Sequence, residues 1–184
     1  MPDDVNTDWS QWSWLQDTYW YVPPESLAAL QFSPDENTLT WMTDQTVWHI
    51  SAFRTGYFWG ISATVILPEG GNSEPSNIKP VCFSMIGSIT PEGRIYITFV
   101  RCGSSSSRSS TTGIGHAVSQ KNQWTMEMQM ATGSTQTTIH WAYMAQVKPE
   151  DPSWKSLPGV GISVPQMLQG SEPPQIEKST QWRT

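Results

Sequence analysis

Between residues 18 and 147 apolar and polar side chains alternate in short runs, separated by stretches rich in Gly, Pro, Asn or Ser. Alternation marks half-buried strands, whose successive side chains point to opposite faces. Eight runs fit it: 18–22, 45–53, 57–67, 81–89, 94–101, 111–120, 123–131 and 136–147. Longer loops fall at 68–80 and 102–110, and the other connections are mostly short. Residues 25–30 and 163–168 each suit about two helical turns, the second behind Ser163 as a cap. Sequential hairpins predict an all-β fold, an eight-stranded antiparallel up-and-down barrel with short terminal helical segments. One domain covers 1–169. Within it, 150–169 either crosses one barrel end, plugging it with Trp154 or Leu157, or lies on the outer wall. The Pro-, Gly- and Ser-rich end, 170–184, reads as a flexible tail.

Turn residues set the expected register. Gly133-Ser134 suits a two-residue hairpin, pairing Thr132 with Thr135, Met126 with Trp141 and Glu127 with His140. Lys121-Asn122 sets Glu127 beside His116. Thr55-Gly56 sets Trp48 against Ala63 and His49 against Ser62. Thr90-Pro91-Glu92-Gly93 reads as a type I turn with Gly in the left-handed position. It pairs Met85 with Phe99, Gly87 with Ile97 and Cys82 with Cys102. In this register Trp48, Trp59, Met85, Phe99, Trp124, Met126, Met128, Trp141 and Tyr143 share the inward face, because burying it drives folding. All three histidines fall on the opposite, more polar face.

Composition narrows the function. A charged fraction of 14% and a net charge of −6 exclude the clustered Lys and Arg that nucleic acid demands. Arg108 sits alone in the Ser-rich run SSSSRSS. No apolar run reaches the roughly 18 residues of a spanning helix. The N-terminal MPDDVNTDWSQWSW carries acid where a secretory peptide carries base. A cytoplasmic protein with no membrane partner is expected, and Cys82 and Cys102 are accordingly expected as free thiols. Eleven Trp concentrate the apolar content in large rings. Rings of that size pack with gaps, and Met adapts to irregular space, so the inward face suits a pocket for a flat or hydrophobic molecule as well as a filled core.

The row His116–Glu127–His140 admits three readings: an outward charge cluster, a two-His, one-carboxylate ligand set, or an acid/base pair. No metal site and no cofactor is assigned. His49, near Asp44 in sequence, is a second acid/base candidate. No nucleophile elbow is visible; the run TTGIGHAV lacks the helix that a phosphate loop requires.

The meander from about 18 to 147, with its aromatic interior, resembles the calycin group of lipocalins, avidin-like and fatty-acid-binding proteins. DTYWY places Trp20 on the first strand, where lipocalins carry Gly-x-Trp, but without the glycine. Their later T-D-Y element is reduced to Thr43-Asp44. The resemblance implies a single central cavity. The expected function is therefore a small-molecule-binding barrel, acting as a cofactor-independent cyclase, isomerase or dehydratase on a hydrophobic metabolite. Its catalytic candidates are His140, Glu127, Tyr143 and His49, and its ligand-binding candidates are Trp48, Trp59, Met85, Phe99, Trp124, Met126, Met128 and Trp141. Two alternatives are a non-catalytic carrier or sensor, and an interaction module that uses exterior aromatics such as Phe53 and Phe58. A homodimer fits any of them.

Overall fold

The computed structural model describes residues 8–71, 74–103, 110–120, 123–133 and 136–176. Residues 104–109 of the SSSSRSS run, Lys121-Asn122, Ser134-Thr135 and the tail from 177 onward lie outside the described residues.

The strands are β1 (Thr18–Tyr21), β2 (Ala28–Ser33), β3 (Thr38–Arg54), β4 (Tyr57–Pro68), β5 (Val81–Ile89), β6 (Arg94–Arg101), β7 (Ser110–Gln120), β8 (Gln123–Gly133) and β9 (Thr137–Val147). Every pairing is antiparallel. Strands β2 to β9 follow one another round the sheet, and β9 closes it by pairing with β2. The fold is thus an eight-stranded closed barrel, as the alternation predicts, with one extra strand. That strand, β1, shares a position with β2: both sit between β3 and β9, end to end. Pro23 and Pro24 have no N–H to give a ladder, so the chain leaves the sheet between them and returns at Ala28.

This corrects two expectations. The sequence suits two helical turns over 25–30, yet only a 3-10 turn forms at Pro24–Ser26 and Ala28 onward is strand. Strand β3 also begins at Thr38, well before residue 45, so that one 17-residue strand spans β1, β2 and β4.

The N-terminal segment closes one end of the barrel. A 3-10 helix, Ser10–Leu15, inserts Trp12 and Leu15 into the core, and Trp12 Nε1 donates to the Pro91 carbonyl at 3.2 Å. Trp124 stacks edge-on against Trp12 at 5.1 Å and tilts against Trp14 at 5.6 Å. The middle is solid, filled by Ile50, Phe58, Met85, Ile97, Met126, Met128 and Met144, each fully buried. Gly115 belongs to this packing: a Cβ there would collide with the Glu127 carbonyl and the Met128 sulfur.

The C-terminal segment lies on the outer wall. Helices α1 (Pro152–Lys155) and α2 (Val164–Met167) bracket a loop whose Leu157, Val160 and Ile162 cover Val47, Ala63, Val65 and Val147. Ser163 caps α2 in a reciprocal capping box with Gln166. Gln45 fastens the segment, donating to the Val22 carbonyl at 2.9 Å and accepting from Gly159 N–H at 2.8 Å.

Two register shifts re-sort the faces. Thr132 pairs with Thr138, three residues further along than a two-residue turn would give. An odd shift swaps the faces of a strand. Trp141 and Tyr143 therefore point outward, 56% and 37% exposed, and His140 points inward at 2%. In the β3–β4 hairpin, Thr55 and Gly56 both take positive φ, and Arg54 pairs with Tyr57 as expected. A bulge between Ile50 and Ala52 then moves Trp48 to face Ser62. The extra residue keeps Trp48 and Ile50 inside while turning Phe53 and Phe58 inward and Trp59 outward. Phe58, expected outside, is fully buried.

The Thr90–Gly93 turn gives the expected register: Met85 faces Phe99 and Gly87 faces Ile97. Cys82 and Cys102 meet with Cα atoms 5.4 Å apart and form a disulfide, in place of the free thiols expected.

Candidate functional site

Above the packed middle, at the end opposite the N-terminal plug, the interior opens into a cavity of about 210 Å³. Trp48, Phe83, Phe99, Met130 and Ile66 form its apolar lining. Gln31, Asp44, Thr46, Ser62, Thr64, Thr138 and His140 form a polar side on neighbouring strands, and Thr111, Thr132 and Gln136 lie toward the rim. The wall grades from Trp48, with no exposed surface, to the exposed Gln136.

The polar side is built around two residues 96 positions apart, His140 and Asp44. His140 Nδ1 lies 3.1 Å from Asp44 Oδ2, and Nε2 lies 2.6 Å from the Ser26 carbonyl. That carbonyl is available because the chain leaves the sheet between β1 and β2. Leu27 stays tied to β3 through Asp44 N–H, 2.8 Å from the Leu27 carbonyl. Asp44 Oδ1 accepts from Thr46 Oγ1 at 2.7 Å and from Thr64 Oγ1 at 2.8 Å, and these two hydroxyls are 2.8 Å apart. One strand interruption and three inward-facing strands thus assemble a fully partnered network.

Its electrostatics follow from contact. Burial opposes charge on His140, but the hydrogen bond to Asp44, that carboxylate's charge and the Ser26 carbonyl outweigh it and raise the pKa above the ordinary 6.5. For Asp44 burial again opposes charge. The hydrogen bond and charge of His140, with the Thr46 and Thr64 hydroxyls, outweigh it and lower the pKa below 3.8. Both ring nitrogens of His140 face acceptors, a carboxylate oxygen and a backbone carbonyl, so the geometry suits an imidazolium donating from both nitrogens beside the Asp44 carboxylate, a pair with no net charge. One polar atom is unpaired: buried Trp48 Nε1 has no hydrogen-bond partner among the described residues.

The candidate residues scatter. Trp48 and Phe99 line the cavity. Met85, Met126 and Met128 lie in the packed middle, and Trp124 joins the Trp12–Trp14 cluster at the plugged end. Trp59 and Trp141 face outward, as do Glu127 and Tyr143, which pair with each other. Glu127 does pair with His116, as expected. The row therefore runs Arg94–His116–Glu127–Tyr143, and His140 is on the other side of the sheet, so the two-His, one-carboxylate set does not assemble. Among the described residues no three His, Cys, Asp or Glu side chains gather as a metal site. His49 faces outward, stacked on Tyr19 at 4.1 Å with Nε2 2.9 Å from Asp17 Oδ1, rather than beside Asp44.

Asp44, Thr46, Thr64, Thr138, Gln31 and Met130 were not among the candidates. One signal pointed to the first of them, since Asp is depleted in strand interiors and a mid-strand Asp needs a reason. Among the described residues no helix is long and apolar enough to cross a membrane. No known sequence family, no curated protein and no solved structure matches the chain.

Proposed function

We propose that the barrel binds a small molecule in its open end, with aromatic rings on one side and the His140–Asp44 network on the other. The observation that carries this reading is a cavity with an elaborate buried polar wall. A filled core would need no such wall, since burying polar groups costs free energy even when they are paired. Pockets for drug-sized ligands run from about 300 Å³ upward. The 210 Å³ here suits something smaller, on the scale of a single substituted ring.

A second reading makes the same site catalytic, as a cofactor-independent isomerase, cyclase or dehydratase. It is favoured by a titratable pair on the wall of the cavity. The chemistry then falls to His140 as proton carrier and Asp44 as its orienting carboxylate. Both imidazole nitrogens are engaged, so proton transfer through Nε2 requires release of the Ser26 carbonyl. That requirement places binding ahead of catalysis.

Thermal-shift screening of small neutral aromatics against wild type and Thr132→Trp tests the proposal, because Thr132 lines the cavity near its rim. Ligands at about 100 times Kd stabilise wild type by about 2.7 kcal/mol. The same compounds have no effect on a folded Thr132→Trp. Absence of any stabilising compound, or equal stabilisation of the variant, overturns it. Turnover that falls by about 10²–10⁴ in His140→Gln with affinity retained would establish the catalytic reading.

A further inference from the structure

We propose that the ligand of this cavity is uncharged and carries its polar group, a hydroxyl or amide, at one end of a flat apolar body. The inference rests on the small-molecule reading above and adds the charge class.

Charge balance carries it. Asp44 and His140 are the ionisable groups among the described residues that line the cavity, and they neutralise each other at 3.1 Å. No lysine or arginine lies among those residues, so the described lining offers a carboxylate or phosphate no unpaired counter-charge. His140 offers no spare N–H, since Asp44 and the Ser26 carbonyl take both. A cation fares no better. The Asp44 oxygens already receive donors from His140, Thr46 and Thr64, three of about four acceptor positions on a carboxylate. A bound ammonium would also lie beside the imidazolium.

A neutral donor–acceptor group fits what remains. The free acceptor position on Asp44 takes one O–H or N–H. The Thr138 hydroxyl, which accepts from Gln31 at 3.3 Å, keeps its own proton to donate. Ser62 adds a second hydroxyl, buried at 2% exposure. Trp48 and Phe99, tilted at 41° with centroids 5.5 Å apart, present ring surface to the flat part.

Three probes matched in shape test the charge class: para-cresol, para-toluate and para-methylbenzylammonium, titrated calorimetrically at neutral pH. At that pH the first is neutral, the second anionic and the third cationic. The neutral probe binds at least about tenfold more tightly than either ion, a difference of about 1.4 kcal/mol. Equal or tighter binding of either ion overturns the charge-class inference while leaving the cavity a binding site. Failure of all three to bind refutes the small-molecule reading itself and takes the inference with it.

Discussion

Replacing Asp44 by alanine removes the acceptor of three hydrogen bonds and the only counter-charge described beside His140. Removing one partner of a buried ion pair costs about 3–5 kcal/mol, because the other charge is left uncompensated. Two features put this case at the lower end. Thr46 and Thr64, 2.8 Å apart, can bond each other, and His140 keeps the Ser26 carbonyl and can shed its proton. The expected loss near pH 6 is about 3 kcal/mol, read by urea unfolding. For a chain of this size that corresponds to a fall of about 6–12 °C in Tm. His140→Leu should cost a similar amount. The double variant Asp44→Leu/His140→Leu should cost less than the sum of its singles, with a coupling above about 1 kcal/mol. The Asp44→Ala loss also shrinks as pH rises through the folded pKa of His140, since that residue is then neutral in both proteins. A loss below about 1 kcal/mol, unchanged with pH, is the behaviour of a solvent-screened surface pair and would refute the reasoning.

Three further outcomes follow from the structure. The raised His140 contributes stability that is complete below its unfolded value of about 6.5 and is lost as pH rises through its folded pKa. The lowered Asp44 contributes above about 3.8 and loses it as pH falls, so the pair's contribution is fullest between those values; unfolding titrations in His140→Leu should lack the alkaline limb. Trp12→Ala should destabilise by about 3–5 kcal/mol in chemical unfolding, since a side chain 5% exposed leaves the barrel end unfilled. The disulfide closes a loop of 20 residues, so the double variant Cys82→Ser/Cys102→Ser should lose about 3 kcal/mol relative to oxidised wild type. The gap closes when wild type is reduced.

The barrel was legible because its strands alternate and because two turns have unambiguous length. Pro91 and Gly93 hold a turn of set geometry, so the whole β5–β6 ladder follows, down to Cys82 against Cys102. The neighbouring His116–Glu127 pair followed in the same way. The site was hidden by three local departures. Pro23-Pro24-Glu25-Ser26 resembles a helix start, which concealed β2 and with it the Ser26 carbonyl beside His140. The β8–β9 connection is longer by an odd number than Gly133-Ser134 suggests, which exchanged His140 for Trp141. The bulge beside Ser51 exchanged Trp59 for Phe58. The last two are odd shifts, of three positions and of one, with a whole-strand consequence, since a period of two turns any odd error into a change of face. The pairing of Asp44 with His140 needs all these registers together.

Methionine-methyl NMR of the protein titrated with para-cresol examines the central claim most directly, because the open end must admit a molecule between the aromatic lining and the Asp44–His140 wall. Met130 lines the cavity, whereas Met167 is buried beneath the C-terminal segment on the outer wall. The account predicts a saturable shift of the Met130 methyl with Met167 unmoved. No shift at Met130 up to the solubility limit of the probe, or equal shifts at both methyls, would contradict it.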